Sequence, residues 1–383
     1  MSRWFWLWCL TSAVFLLLAT QVVVTFNDLT CWKLTLLAVE YGHRFAVAAL
    51  LLAWVHWRQG GFARRCLAWC NVVAAVVLFV PLAEAWRQAR HLPEELRTVF
   101  GKTPETAPAP YHPVSLWFGT WRRNMEPERM EYFHDGEGSQ SLELFRAQKK
   151  SPAPCVVVIH AGSWEKESEN EFPDYSTWWA IRGYAVAAIQ YRLAPQHAWP
   201  AQLEDVKQAL NFLKANAERL GVDPTKFILL GRSAGGQIAA ACVSGLRDPA
   251  VCGCVALYGP MDLAFAHRFA RDTDVLDSFR LLHGYLGGDP VKAAATYLSG
   301  SAYLTARAQS CPMLLLHGSR DILVWNLQSR RMAARLRTLG VRHYLLEPPL
   351  AVHGFDWAYD GANGQLARYA MDVFMDAVTQ GKP

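Results

Sequence analysis

Between the apolar run Phe227-Ile228-Leu229-Leu230 and the segment Gln237-Ile238-Ala239-Ala240-Ala241 the chain reads Gly231-Arg232-Ser233-Ala234-Gly235, an order that few backbones can satisfy. It specifies a short buried strand, a sharp turn and a helix, with a serine at the apex. Glycines two positions to either side permit the strained angles of the turn and the close packing of helix on strand. The first amides of the helix then point toward Ser233, which makes that serine a candidate nucleophile. A bare G-x-S-x-G arises by chance in many proteins and also as a packing turn. Its placement between strand and helix, together with the partners below, gives it chemical weight.

Those partners follow downstream in the order Ser, Asp, His. Cys311-Pro312-Met313-Leu314-Leu315-Leu316-His317-Gly318 reads as another strand and turn, and Asp321 stands just past its end, where a carboxylate reaches across the strand tips. Residues 341–347 form the next expected strand, and the loop after it carries His353-Gly354-Phe355. His353 is the candidate base, taking the Ser233 hydroxyl proton, with Asp321 as the acid that fixes its tautomer. Asp262, ahead of a long insertion, and Glu347, followed by two prolines, are rival acids. His317 and His343 lie at or within strands and read as structural.

The fourth part is a site for a developing oxyanion. Cys155-Val156-Val157-Val158-Ile159 is a continuous apolar run, as a parallel strand covered on both faces requires, and it ends at His160-Ala161-Gly162-Ser163-Trp164. Backbone amides of Gly162 and Ser163, with that of Ala234, could converge on one oxygen. The alternative is an ordinary tight turn.

His160-Ala161-Gly162-Ser163-Trp164, Tyr191-Arg192-Leu193-Ala194-Pro195, Gly231-Arg232-Ser233-Ala234-Gly235-Gly236 and His353-Gly354-Phe355 together resemble the α/β-hydrolase esterases related to hormone-sensitive lipase. The resemblance covers residues 128–383. It implies carboxylic ester hydrolysis through an acyl-enzyme, with Ser233, Asp321 and His353 as the triad, the small-residue turn as oxyanion hole, and no metal or organic cofactor. Two departures concern the substrate. Ala161 and Ser163 interrupt the usual glycine run, so their Cβ atoms narrow the space beside the acyl carbon. Arg232 precedes the nucleophile where the family commonly has an acid or a histidine, and it favours either an anionic substrate or an ion pair with a neighbouring carboxylate. Ala161, Trp164 and Arg232 are therefore the candidate substrate-binding residues. Arg192 reads as structural, with Glu204-Asp205 in pairing reach.

Segments 130–134 and 142–147 are expected as an antiparallel edge, followed by parallel strands beginning near Cys155, Tyr184, Phe227, Val251, Met313 and Val341, with helices between them. That alternation predicts a doubly wound α/β sheet whose site lies at the carboxyl ends of its strands, where all four motifs fall. The insertion 262–309 is expected as a partial lid.

The first hundred residues carry most of what such a domain leaves over in a chain of 383 residues that is 52% hydrophobic. Residues 4–26 have no charge and would span about 34 Å as a helix, enough for a hydrocarbon core of ~30 Å. Residues 34–57 and 66–83 are two further candidate spans, with Trp4, Trp6, Trp8, Trp32, Trp54, Trp57, Trp69 and Trp86 near the segment ends, as an interfacial aromatic belt requires. A membrane region over 1–91 is the result. A cleaved signal peptide is the alternative for the first segment, but the run is long and lacks a small-x-small site. Glu40 and Arg44 stand four apart on one helical face and are expected as an internal ion pair; the other reading, with His43, is an intramembrane functional site. Arg58, Arg64 and Arg65 between the second and third segments predict a cytoplasmic loop there and an extracytoplasmic catalytic domain. Residues 92–127 read as a linker, stiffened by Pro104, Pro108, Pro110 and Pro113. Because no triad residue lies upstream, a chain starting near Pro113 is expected to be soluble and active on short esters.

Nine cysteines show no disulfide framework, and free thiols suit a reducing compartment, which argues mildly against the outside placement. A net charge of +5 without a basic stripe excludes nucleic acid as a partner. Two function classes remain: a membrane-anchored serine hydrolase acting on a small-molecule or lipid ester (lipid, prenylcysteine methyl and acetylated surface-polymer esters all fit, as does an amide or formamide), or a non-catalytic hydrolase-like binding protein. Oligomeric state is not legible.

Overall fold

The computed structural model describes residues 3–101, 109–120, 124–134, 138–149, 151–167 and 172–380. The chain begins with three helices, α1 Arg3–Val23, α2 Leu29–Gln59 and α3 Phe62–Ala89, each long and apolar enough to cross a membrane. Asp28 starts α2 by accepting hydrogen bonds from the backbone N–H groups of Thr30 and Cys31 at 2.8 and 3.0 Å. Small residues let the helices approach: Ala38, Ala46 and Ala49 of α2 pack with Ala74 and Ala75 of α3. At Gly42 a Cβ would stand 2.5 Å from the Leu78 carbonyl oxygen. The Asn71 amide donates to Ser12 Oγ at 2.8 Å inside the bundle.

Glu40 and Arg44 do not form the ion pair expected of them. Glu40 instead accepts from the backbone N–H and side-chain amide of Asn363 at 2.8 and 2.9 Å and from Gly364 N–H at 3.3 Å, while Arg44 donates to the Leu116 carbonyl at 2.8 Å. Partners from outside the bundle satisfy each group, which spacing along one helix could not reveal.

The stretch expected as a linker is also partly helical. Helix α4, Leu92–Phe100, buries Leu92, Leu96 and Phe100, an i, i+4, i+8 stripe, and α5 spans Pro113–Phe118. The prolines suggested extended chain, but that apolar stripe finds a surface to cover. Pro104 and Pro108 lie outside the described residues.

Next come β1 Glu128–His134, β2 Ser139–Phe145, β3 Ala153–Ile159, α6 Pro173–Arg182, β4 Ala185–Ile189, α7 Ala201–Ala215, α8 Ala217–Leu220, β5 Val222–Arg232 and α9 Ala234–Leu246. They are followed by β6 Val251–Leu257, α10 Leu263–Phe269, α11 Ser278–Leu286, α12 Ala294–Gly300, α13 Ala302–Thr305, β7 Met313–Leu316, α14 Leu327–Thr338, β8 His343–Leu346 and α15 Ala362–Thr379. Among the described residues eight strands form one sheet in the order β1-β2-β4-β3-β5-β6-β7-β8. The β1–β2 and β2–β4 pairs are antiparallel, and β3 to β8 run parallel.

Apolar residues from α7, α9 and α14 cover one face of the sheet. On the other face Tyr175 and Trp179 of α6 and the length of α15 share a core with Ala85 and Ala89 of α3 and with Leu92, Leu96 and Phe100 of α4. The helical bundle thus contributes to the sheet's outer layer. A chain starting at Pro113 would lack those five residues, so the expectation of a free-standing soluble unit does not fit this packing.

Candidate active site

Strand β5 is buried from Phe227 onward and ends at Arg232; the chain then turns at Ser233, with φ 52° and ψ −117°, into α9. That positive φ is costly for a side-chain-bearing residue and is held by its surroundings. A Cβ at Gly235 would strike the Ile159 carbonyl, so only glycine lets α9 start this close to β3.

Ser233 Oγ lies 3.0 Å from His353 Nε2, and His353 Nδ1 lies 2.7 Å from Asp321 Oδ2. The three side chains come from the ends of β5, β7 and β8, so the sheet's register places them. Asp321 is buried, and its Oδ1 accepts from the backbone N–H groups of Leu323 and Val324, each at 2.9 Å. Burial pushes the Asp321 carboxyl up, but the imidazoles of His353 and His317 outweigh that and hold it below the usual carboxylate range. His317, fully buried, sits 3.3 Å from Asp321 Oδ2 and is fixed by Ser329 Oγ at 2.7 Å and the Val324 carbonyl at 2.9 Å. Its neighbours are those of a structural residue packed behind the acid.

The rival acids are occupied elsewhere. Asp262 caps α10 through Phe265 N–H at 3.0 Å and pairs with Arg331 at 2.7 Å; Glu347 pairs with Arg330 at 2.7 Å. His343 bonds within its own turn to the Val341 carbonyl.

After β3 the chain adopts positive φ at Gly162, Ser163 and Trp164, 123°, 55° and 64°. The turn is closed by the Glu165 and Lys166 amides donating to the Gly162 carbonyl at 3.1 and 3.0 Å. His160, stacked on Tyr191, anchors it, and burial lowers the His160 pKa to about 4, so that ring stays neutral. Trp164 donates to Gln237 at 2.9 Å and stacks on Tyr285, tying the turn to α9 and to the inserted helix α11.

Ser233, Ser163, Ala234 and Trp164 all line one cavity of about 280 Å³, whose remaining wall is mostly apolar and comes mainly from α10, α11, the segment between them and residues 322–325. Gly162 and Ala161 are not among its lining residues. Arg232, expected beside the substrate, turns away from the cavity. It is completely buried, pairs with Asp356 at 2.5 Å and lies over the Phe172 ring at 3.8 Å, so the ion-pair alternative describes it. Asp356 also accepts from the Tyr258 hydroxyl at 2.6 Å, and the Tyr258 ring packs 4.4 Å from that of His353. Asp356 and Tyr258 were not singled out in the sequence; Asp356, three residues past His353, was the available signal. Arg192 pairs with Asp205 at 2.7 Å.

Two contacts come from the bundle. Trp32 Nε1 donates to the backbone carbonyl of His353 at 3.0 Å, and Arg320, the neighbour of Asp321, donates to the carbonyl of Val22 and to Thr25 Oγ1. The α1–α2 corner therefore touches both the acid loop and the base loop.

The BD-FAE family pattern matches residues 142–336, just over half of the chain. The chain belongs to that family. It is accordingly an α/β-hydrolase esterase by family and fold. It is 27% identical over 293 residues to the esterase LipC of Mycobacterium tuberculosis, covering 69% of this chain and 68% of LipC. It is also 27% identical over 332 residues to the probable carboxylic ester hydrolase LipM of the same organism, covering 76% of this chain and 74% of LipM. Esterase LipW from Mycobacterium marinum superposes with a TM-score of 0.56 at 22% identity, over 77% of this chain and 90% of LipW. Thermogutta terrifontis esterase 2 superposes with a TM-score of 0.54 at 22% identity, over 68% of this chain and 97% of that enzyme. The superpositions bear on the fold.

Proposed function

We propose that this chain is a membrane-anchored serine esterase that cleaves carboxylic esters of small molecules or lipids through an acyl-enzyme, with α1 to α3 as its anchor. The observation that carries the reading is the continuous line from Ser233 Oγ through His353 to Asp321, at 3.0 and 2.7 Å, with Ser233 in the wall of a mostly apolar cavity.

The chemistry follows from those contacts. Ser233 Oγ–H donates to His353 Nε2 while His353 Nδ1–H donates to Asp321, which fixes the tautomer with its lone pair toward the serine. Attack on the ester carbon moves the hydroxyl proton to Nε2, and Asp321, kept ionised by its surroundings, stabilises the imidazolium. The oxyanion meets the amides of Gly162, Ser163 and Ala234, the last at the N-terminus of α9. His353 returns the proton to the departing alcohol, and water repeats the sequence on the acyl-serine. Trp164 bounds the space beside the acyl carbon as part of the cavity wall. No step calls on a metal or an organic cofactor.

Charge sets the orientation. Arg58, Arg64 and Arg65 surround the α2–α3 turn, and the sheet domain follows the opposite end of α3, so the positive turn is placed in the cytoplasm and the catalytic domain outside it. A fluorophosphonate probe tests the chemistry: it labels the full-length protein and fails to label Ser233→Ala. Equal labelling of that variant would remove the assignment. Reporters fused after Pro383 and inserted between Gln59 and Phe62 test the orientation, and finding both on one side would refute three spans.

A further inference from the structure

The direction of α15 and β8 relative to the bundle fixes which edge of the sheet faces the anchor. Glu40, well down α2, holds the first turn of α15 at Asn363 and Gly364, whereas Phe374, three turns further along α15, meets Phe100 at the end of α4, beyond the end of α3. Helix α15 therefore runs away from the far end of the bundle. Strand β8 runs the other way: Tyr344 bonds Glu95 of α4, the Glu347 carbonyl accepts from Gln88 at the end of α3, and the His353 carbonyl accepts from Trp32 in the first turn of α2. Because β3 to β8 are parallel, all their carboxyl ends, and the whole Ser233 site, point toward the level where α1 and α2 leave their apolar span.

The cavity mouth lies at that level. Arg320 is bonded to the last carbonyls of α1 at Val22 and Val23, and Trp325, only five residues on, is a wall residue of the cavity and 51% exposed. Phe269, also in the wall, is 52% exposed, and the two rings are in edge contact at 5.5 Å. The α1 end that Arg320 holds shows apolar Val23 and Val24 to its surroundings. On another side of the same junction α5, whose Leu116 carbonyl caps Arg44, leaves Val114 and Phe118 exposed. Large aromatic residues at a cavity rim, level with the end of an uncharged apolar helix, match a bilayer boundary and not open water.

We infer that the cavity opens onto the bilayer surface and that the substrate is a membrane-resident ester whose apolar acyl chain passes directly from the lipid phase, over the Phe269 and Trp325 rings, to Ser233. This inference rests on the esterase reading and adds the source and class of the substrate. An apolar chain that moves between two apolar surroundings avoids the exposure to water that a soluble enzyme's lipid substrate must meet.

The full-length protein in phosphatidylcholine vesicles provides the test, with p-nitrophenyl palmitate dissolved in the bilayer and p-nitrophenyl butyrate supplied in water. Membrane delivery makes the palmitate rate follow its mole fraction in the lipid, so a fivefold dilution with phosphatidylcholine at constant bulk concentration lowers it about fivefold. A rate set by bulk concentration, or absence of palmitate turnover while butyrate is cleaved, overturns the inference and leaves the esterase reading standing. Loss of both activities together with loss of fluorophosphonate labelling overturns the esterase reading itself. The geometry is read separately with a phosphatidylcholine carrying a photoactivatable acyl chain: peptides containing Phe269 and Trp325 are labelled as expected, and labelling confined to α1 to α3 refutes the membrane-facing mouth.

Discussion

The bundle and the sheet domain obey opposite rules of burial. In α1 to α3 the polar groups are inside, with Ser12 and Asn71 bonded to each other and buried, while Leu10, Leu51 and Val76 point outward and are each more than three-fifths exposed. In the sheet domain β3 is buried along its whole length, and the exposed faces carry ion pairs such as Arg146–Glu128. One chain thus contains two parts suited to two solvents. Their junction is made of groups that neither part could satisfy alone: the carboxylate of Glu40 meets the amides that begin α15, where a helix N-terminus favours negative charge, and the indole of Trp32 meets the carbonyl of His353. The candidate site and the apolar bundle are therefore separate by residue but joined by contact, and each prediction probes that separation or that joint.

The sharpest separation is expected at the nucleophile. Ser233→Ala should lower kcat for p-nitrophenyl butyrate by about four to six orders of magnitude, and His353→Ala should be nearly inactive, with both variants still resisting carbonate extraction from membranes. Asp321→Asn should fall by about 10⁴ because the imidazole loses its fixed tautomer, whereas Asp262→Asn, whose carboxylate serves Arg331 and α10, should keep far more activity. The opposite ranking of the two aspartates would reassign the acid.

Breaking the joint should cost stability first. Glu40→Leu leaves the Asn363 and Gly364 amides buried against an apolar side chain, at about 1–3 kcal/mol for each donor left unpaired, so the sheet domain should melt several degrees lower while the bundle remains in the membrane. Glu40→Gln, which keeps an acceptor, should lose less. Equal melting of Glu40→Leu and wild type would show that the α2–α15 contact does not hold the domain. A chain starting at Pro113 should aggregate for the related reason that Ala85, Ala89, Leu92, Leu96 and Phe100 are missing from the core beneath α15. Recovery of a soluble, active fragment would show that α15 can do without them.

These contacts also mark where reading the sequence succeeded and where it stopped. The meeting of Ser233, His353 and Asp321 was legible because each sits in a local pattern, a strand followed by a turn, that fixes its place at a strand end. The doubly wound sheet was legible for the same reason, since each apolar run of β3 to β7 carries its own period. An ion pair for Arg232 was one of the two readings open in the sequence, but its partner Asp356 was not legible there because it lies 124 positions away. The Trp32 bond to His353 spans 321 positions and joins a long apolar helix to the loop that carries the candidate base. Nothing in the local pattern of either segment encodes it. The linker reading failed over α4 because prolines further on were given more weight than the spacing of Leu92, Leu96 and Phe100.

A pH signature should belong to the sheet domain alone. Asp372, at the opposite end of α15 from Glu40, accepts from the indoles of Trp178 and Trp179, and burial raises its carboxyl to about 6 despite Arg182 nearby. A carboxyl with a raised folded pKa holds its proton in the native state after the unfolded chain has released it. Its contribution to stability is therefore largest below the unfolded value near 3.8, shrinks as pH rises toward 6, and is constant above that. The difference in unfolding free energy between wild type and Asp372→Asn should move against the wild type across that window, by up to about 3 kcal/mol. A difference that does not vary with pH would mean that the carboxyl titrates normally.

The smallest effect tests the joint most directly. Trp32→Phe keeps an aromatic ring against Trp357, now 5.6 Å away, but removes the N–H that holds the His353 carbonyl. A neutral hydrogen bond of this kind contributes about 0.5–1.5 kcal/mol, so kcat should fall by a factor of roughly two to ten. Trp32 touches no cavity wall, so KM for p-nitrophenyl butyrate should not change. A loss of stability without a change in kcat would make the contact a simple tether between the two parts. A fall in kcat with KM constant and Ser233 still labelled by the fluorophosphonate, but more slowly, would make Trp32 a positioning residue, through which the first turn of a membrane helix sets the orientation of the catalytic imidazole.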